Sequence, residues 1–190
     1  TVSITENSVR VEKVTGPVTI DARGARVTVD NLKDSLKVTA SHQSADISGV
    51  AGAVVVESRF ANLSLKDIGG NIEIQSNSDN VRADEIKGSL KLKGRASGVR
   101  VNRILGPLDI QTTLKDVTVN DAAGSCSITN EHGNVSVSAQ SLDTGGVRIK
   151  NRNGAIELSL PEGSSFEMDA VARNGNIRSS YPDLGPSRKD

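Results

Sequence analysis

Aromatic residues are scarce in this sequence. Phenylalanine, tyrosine and tryptophan together make up 2% of its 190 residues, and tryptophan is absent. Proteins that bind single-stranded nucleic acids stack the bases on aromatic side chains, and this chain has too few for that purpose. Its 23 basic residues are balanced by 23 acidic residues, so the net charge offers no general attraction to phosphate backbones. We therefore expect no nucleic-acid partner.

Cysteine and long apolar runs are also lacking. The only cysteine, Cys126, excludes an internal disulfide framework and a cysteine-based zinc cluster. No apolar run approaches the roughly 20 residues of a membrane helix, so we expect no direct membrane insertion by this chain. The sequence begins at Thr1 rather than at methionine, which is compatible with a signal peptide or membrane anchor upstream.

The sequence does contain an internal repeat. The segment VRVEKVTGPVTI (9–20) returns as VRVNRILGPLDI (99–110), and the separation of 90 residues is five steps of 18. We call each 18-residue unit a rung and number its positions from 1, starting at Val9. Positions 1, 3, 6, 10 and 12 are aliphatic in nearly every rung, with Cys126 at position 10 of its own. Such spacing indicates short strands with apolar residues on one face.

Two further positions indicate turns. Position 8 is glycine in every regular rung except one, which has Asp34, and this pattern predicts a turn with positive φ. Position 14 holds residues of small or modest size, which predicts a cramped corner: Ala22, Ala40, Ser58, Ser76, Gly94, Thr112 and Asn130.

These features predict an all-β, single-stranded parallel β-helix, that is, a β-solenoid. A short strand cannot bury its apolar face alone, but stacking each strand on its equivalent 18 residues later makes a continuous core. A left-handed hexapeptide helix would need aliphatic residues at positions 7 and 13, where the sequence has polar ones such as Lys33 and Lys93. We therefore predict right-handed winding.

The C-terminal rungs differ from the others. The motifs EHGNV, RNGAI and RNGNI place Val135, Ile156 and Ile177 at steps of 21. Bulky residues are concentrated there, and Phe166, Met168 and Tyr181 are predicted to cap the end of the core. We predict one solenoid domain over 1–181, with regular rungs at 9–134, larger rungs and cap at 135–181, and a flexible tail at 182–190.

The repeats and their ending resemble a known family. Regular VxVxxIxGxVxI units followed by GAIELSLPEGSSFEMDAVARNGNI (154–177) are similar to bacterial adhesin-type domains of unknown function, which have a repetitive parallel β-helix and a closing Gly, LP-x-G and Phe signature. The resemblance covers residues 9 to about 180. It implies a bacterial domain of the cell envelope, periplasmic or extracellular, and the adhesin name itself rests on analogy.

Residues able to support catalysis or metal binding are few and dispersed. His42 and His132 both occupy position 16 but lie five rungs apart, roughly 24 Å, so they cannot share a metal ion. Cys126 falls in a core column, which favours a buried hydrophobe over a nucleophile. We expect no catalytic residue, no metal site and no cofactor.

The acidic residues on neighbouring rungs are interleaved with basic ones. Two groups of carboxylates are expected to lie close together, namely Glu12 with Asp30, and Asp67 with Asp84 and Glu85. Lys66, Arg82, Lys87 and Arg103 alternate with them, and so do Glu73, Lys91 and Asp109 at position 11. This pattern is typical of solvated ion-pair ladders on an exposed sheet.

Arg82 and Arg100 are the candidate binding residues. They share position 2 and should be adjacent on the rod, where they could bind an anionic glycan. We expect a non-enzymatic binding or spacer module, monomeric or weakly oligomeric, that contacts a glycan or protein at the cell surface. Two alternatives stay open: a bactofilin-like structural protein that self-assembles end to end, and a polysaccharide-active β-helix enzyme.

Overall fold

The protein is described by a computed structural model that covers residues 1–77, 79–140 and 146–162. These residues form two parallel sheets of nine strands each, and the chain alternates between the sheets. Sheet A contains the odd-numbered strands and sheet B the even-numbered ones. Each strand therefore pairs with the strand one coil later, which is the predicted β-solenoid.

The strands are short, and turns or bends separate them. Sheet A consists of β1 (Val2–Thr5), β3 (Val18–Arg23), β5 (Leu36–Ser41), β7 (Val54–Arg59), β9 (Ile72–Asn77), β11 (Leu90–Arg95), β13 (Leu108–Gln111), β15 (Cys126–His132) and β17 (Val147–Asn153). Sheet B consists of β2 (Ser8–Glu12), β4 (Arg26–Leu32), β6 (Ala45–Val50), β8 (Asn62–Ile68), β10 (Asn80–Ile86), β12 (Gly98–Ile104), β14 (Val117–Ala122), β16 (Val135–Ala139) and β18 (Ile156–Ser159).

The strand register confirms the repeat. Val81 pairs with Val99, and Leu90 pairs with Leu108, each 18 residues later. The step grows to 21 where Cys126 pairs with Val147 in the last coil. Val135 and Ile156 pair with the same longer step. Ile177, the cap residues Phe166, Met168 and Tyr181, and the tail 182–190 lie outside the described residues, and the winding hand stays a prediction.

The aliphatic columns form one core between the two sheets. Val101, Ile104 and Ile110 in the middle of the rod are 0% exposed. Cys126 is 2% exposed at the position that leucine or valine fills in other rungs. In the first rung, by contrast, Val9 is only half-buried. Burial of apolar surface in every stacked pair of rungs is the main force that stabilises such a fold.

The position 8 glycines are required for a reason other than the predicted one. All seven position 8 residues lie in the described ranges, and none of them has a positive φ. A Cβ built on Gly88 would instead lie 2.3 Å from the carbonyl oxygen of Gly70 in the preceding rung. Gly70 would meet Gly52 in the same way, at 2.4 Å. The glycines therefore allow the backbones of successive turns to stack closely, and the positive-φ prediction, including its explanation of Asp34, was wrong.

The left-handed turn lies three residues earlier, at position 5. The residues there all have φ between 50° and 63°, and they are Lys13, Asn31, Gly49, Asp67, Glu85, Arg103 and Asp121. The next residue turns inward to the core, so this single backbone conformation ends the outward alternation of each sheet B strand. A second left-handed site recurs at position 16, as in Gly24 and His42.

The predicted cramped corner at position 14 is confirmed, and in mid-rod it is polar. Six of its seven residues are buried, and Gly94 is half-buried. Ser58 Oγ and the backbone N of Ala61 both donate to the carboxylate of Asp79, the latter at 2.7 Å. Two rungs of the same corner are joined by the hydroxyls of Ser76 and Ser97, 2.6 Å apart. The buried Asp79 is thus held by hydrogen bonds and has a structural role.

Candidate functional site

The two histidines are both exposed and lie far apart, as predicted. His42 follows β5, and His132 is the last residue of β15. Within the described ranges, no three histidine, cysteine, aspartate or glutamate side chains are close enough to hold a metal ion. The ring of His42 instead stacks on Phe60 of the next rung, with the centroids 5.7 Å apart and an interplanar angle of 25°.

The Cys126 thiol faces the core. Its surroundings are apolar, and burial raises the pKa of the thiol from 9.0 to about 12. The thiolate is the reactive form, so both access and ionisation oppose reaction at neutral pH. This environment is that of a small hydrophobic residue.

A labelling experiment tests the burial of Cys126. We expect the native protein to react with a disulfide reagent at pH 8 at least about a hundredfold more slowly than the urea-unfolded chain, because the thiol is both protected and protonated. Stability should also fall as pH rises through the window from 9 to about 12, since only the unfolded chain loses the thiol proton there. Cys126→Val should lack that component of the pH dependence. Rapid labelling of the native protein would contradict the assignment.

The carboxylates of sheet B are paired with basic residues, as predicted. Arg82 Nε donates to Asp84 Oδ2 at 2.7 Å, and Lys87 lies 3.5 Å from Asp67. Arg103 pairs with Glu85 on the neighbouring rung. The pKa of Asp84 is lowered: burial raises it, but the hydrogen bonds from Arg82 and Asn102 outweigh that effect. These carboxylates serve as structural acceptors on a flat, exposed sheet.

The predicted position 11 series is adjacent but not joined. The register places Lys91 directly between Glu73 and Asp109. No ion pair links these three side chains, all of which lie in the described ranges. Glu12 and Asp30 are likewise neighbours in register, where Arg10 pairs with Glu12 and Ser48 Oγ donates to Asp30 at 2.8 Å.

Arg82 and Arg100 are brought together in the predicted way. They are register partners on β10 and β12, and both are exposed. Arg82 is engaged with Asp84, however, and the column continues to Thr118 rather than to another cation. The surface around them is a flat sheet face. Two adjacent arginines on a flat face, one of them neutralised, form a shallow anionic contact at most.

A more enclosed surface lies on sheet A. It is a groove of about 1050 Å³ that runs along the rod, lined from Asp21 at one end to Glu131 at the other. Outward residues at positions 13 and 15 form its two walls, and the small residues of position 14 form its floor. We call it the sheet A groove. Seven coils contribute to it, and at roughly 4.8 Å per coil its length is about 29 Å.

The groove carries arginines at a regular interval. Arg23, Arg59 and Arg95 all occupy position 15, at every second rung, about 9.6 Å apart. The rungs between them have short polar residues at this position, namely Ser41, Asn77 and Thr113.

Three cations in the central groove have no ion-pair partner. Arg59, Lys93 and Arg95 are exposed, and none of them takes part in an ion pair within the described part of the chain. The nearby acid Glu57 lies 3.4 Å from Lys37 instead, and Asp21 lies 3.9 Å from Arg23 at the end of the groove. The centre of the groove is therefore positively charged in a protein of zero net charge.

An exposed aromatic residue stands beside the groove. Phe60 directly follows Arg59 and is 59% exposed. Its φ is 54°, a left-handed conformation that is unfavourable for a bulky residue. His42, whose ring it stacks on, lines the groove and has a φ of 65°. Neither burial nor backbone preference accounts for a phenylalanine here, and the equivalent residue of an earlier rung is Gly24.

Sequence reasoning missed this groove, although a signal for it was present. Basic residues at position 15 recur with a step of 36, twice the length of the repeat. The groove itself depends on the curvature of the corner at position 14, which no single column of the repeat indicates.

Comparison with known proteins identifies a family and no individual relative. The family model described as Toastrack DUF4097 matches residues 1–189, nearly the whole chain. No curated protein and no solved structure matches the sequence. In the described part of the chain, no helical segment has the length and hydropathy of a membrane span.

Proposed function

The chain belongs to the Toastrack family of domains of unknown function, and from that premise we propose that it is a non-catalytic β-solenoid module of a bacterial cell envelope. It binds or spaces partners outside the cytoplasm, as a single domain over 1–181 that is monomeric or weakly oligomeric. Its partner is a glycan or a protein at the cell surface. The adhesin comparison extends no further than this general role.

The observation that carries the proposal is the sheet A groove. Its walls repeat from rung to rung over about 29 Å, so a long ligand meets similar contacts at each step. Weak contacts repeated along one rigid surface add to useful affinity, since the rod is ordered before the ligand arrives. Elsewhere the acids that an enzyme would use are engaged, as Asp84 is with Arg82 and Asn102.

The binding proposal is tested with a glycan array and with capture of envelope proteins from solution. We expect at least one glycan class or protein to be retained by the folded chain and not by the unfolded chain. The same glycans, incubated with the protein, should keep their length on a sizing column. Retention of nothing contradicts the binding role, and shortening of a glycan favours the polysaccharide-active enzyme.

One observation favours the self-assembly alternative. In the first rung, Val2 is 37% exposed, and Ile4 and Val9 are only half-buried. β1 and β2 also stand at the ends of their sheets in the described residues. Edge strands with apolar neighbours are able to pair with a second chain. A bactofilin-like filament would use this end.

Sedimentation velocity over a hundredfold range of protein concentration separates the two roles. We expect a monomer or weak dimer whose sedimentation coefficient changes little, because repeated contacts lie along the sides of the rod. Val2→Lys, which places a charge on the first edge strand, should then have no effect. Large polymers that Val2→Lys dissolves would establish the filament role instead.

A further inference from the structure

We propose that the sheet A groove binds a linear acidic polysaccharide in which an acidic sugar alternates with a neutral one. The chain of the ligand lies along the rod axis, and its acidic groups contact Arg23, Arg59 and Arg95. This inference rests on the proposed binding role and assigns it a site and a ligand class.

The spacing of the arginines is the first argument. Two coils separate each arginine from the next, about 9.6 Å, which is close to the length of one disaccharide in an extended glycan chain. Guanidinium groups bind carboxylates and sulfates through paired N–H donors. A polymer with one acidic group in every disaccharide therefore meets a cation at each repeat without bending.

The residues between the arginines are the second argument. Ser41, Asn77 and Thr113 occupy the same wall on the intervening rungs. They are uncharged and carry hydroxyl or amide groups, which suit the hydroxyls and N-acetyl groups of a neutral sugar. The wall thus alternates between charged and neutral along the rod, in the same order as the proposed ligand.

The aromatic pair beside the groove is the third argument. Phe60 and His42 present stacked rings next to Arg59, and the Phe60 side chain is 59% exposed. Aromatic faces pack against the C–H groups of sugar rings, while a nucleic acid or an acidic peptide has no need of such a platform at this spacing. The left-handed backbone at Phe60 disfavours a bulky side chain, and unfavourable conformations of this kind are concentrated at functional sites.

Acidic proteins and nucleic acids are the competing ligands. The charge of the central groove alone would attract either one. Single-stranded DNA carries a charge at every nucleotide, and polyglutamate carries one at every residue, so neither matches a cation that recurs only at every second rung. The groove is therefore selective for spacing in addition to sign.

The test measures binding of hyaluronan oligosaccharides, in which an acidic sugar alternates with a neutral one, by calorimetry at low salt. We expect saturable binding that weakens as salt rises, since the groove cations are exposed. Dextran of the same size should not bind. Dextran sulfate, a sulfated glycan, shows whether sulfate replaces carboxylate at the arginines, and its binding should be lost in the same variants.

Phe60→Gly separates ligand recognition from stability. Glycine accepts the left-handed backbone, so this variant should melt at the same temperature as the parent or a higher one, while hyaluronan binding weakens by about tenfold. A clear drop in melting temperature would show that Phe60 is retained for folding, and it would remove the third argument. Unchanged binding would overturn the assignment of Phe60.

A double variant tests the arginines. Arg59→Ser with Arg95→Thr installs residues that neighbouring rungs carry at the same position, and it should weaken binding by at least about tenfold. Arg82→Ser with Arg100→Ser removes the same charge from sheet B and should leave the affinity within about twofold. Equal loss from both doubles would mean attraction to net charge only, and it would overturn the groove assignment.

Ligand competition completes the test. If single-stranded DNA or polyglutamate displaces hyaluronan at equal charge concentration, the site reads charge alone, and the polysaccharide proposal falls. If hyaluronan and dextran sulfate both fail to bind while the array retains another ligand, the further inference fails and the binding role stands. If no ligand is retained at all, the proposed function fails with it.

Discussion

Val101→Asp should abolish folding of the whole rod. Val101 is 0% exposed on β12, between Ala83 of the preceding coil and Val119 of the next. A carboxylate at this point would replace an aliphatic contact and would have no cation or donor within the core. Burying an unpaired charge costs several kcal/mol even after it is protonated, which is comparable with a total stability of about 5 to 15 kcal/mol. We expect no cooperative thermal transition and loss of the β-sheet circular dichroism signal.

A matched variant on the same strand controls for the change of charge. Arg100 is next in sequence but exposed on the outer face. Arg100→Asp makes a larger change in net charge and should shift the melting temperature by only a few degrees, since surface substitutions cost little. Ile110→Asp, on the other sheet, repeats the core test at another residue that is 0% exposed. A cooperative melt of Val101→Asp at the parent temperature would contradict the burial of this column.

The core could be predicted from the sequence because one column has one environment. Position 3 is aliphatic in every rung from Val11 to Val137, and each of its residues faces the core in the structure. Stacked rungs place equivalent residues side by side, so an error in one rung would be repeated in all of them. The longer step of the last coil was equally visible, since EHGNV and RNGAI mark the same turn 21 residues apart.

The backbone turns were harder to predict, because several residue types satisfy the same conformation. Position 5 is left-handed in seven rungs but holds residues as different as Lys13, Gly49 and Asp121. The sequence therefore gives no signal there. Position 8, where glycine recurs, has no left-handed backbone at all. Recurrence of glycine indicates a lack of space for a side chain as often as it indicates positive φ.

The polar corner was missed for a related reason. Ser58 and Asp79 belong to different rungs and different columns, so the repeat does not align them. Their contact depends on how one coil crosses the next at the corner. The sheet A groove has the same origin, since its floor is that corner seen from outside. Sequence periodicity defines what lies in each column, while the bend between columns has to be observed in the structure.

Gly88→Ala should destabilise the rod much more than Gly16→Ala. A Cβ on Gly88 would lie 2.3 Å from the carbonyl oxygen of Gly70, so two coils would have to move apart. A forced shift of packed backbone costs about 3 kcal/mol. Gly16 belongs to the first rung, and a Cβ there would meet nothing within 4 Å. Its replacement by alanine should be neutral or stabilise by about 0.5 kcal/mol, since it restricts the unfolded chain.

Urea denaturation of the two variants distinguishes the two explanations for the glycine column. If the column served a left-handed turn, both substitutions would cost a similar amount, about 1 to 2 kcal/mol each. Close stacking predicts a loss for Gly88→Ala only, with an unchanged dependence on denaturant because the fold stays the same. Gly106→Ala, where a Cβ would lie 2.5 Å from the Gly88 carbonyl oxygen, should resemble Gly88→Ala. Equal losses at Gly16 and Gly88 would refute the stacking explanation, and with it the reason that successive rungs keep a constant spacing at this corner.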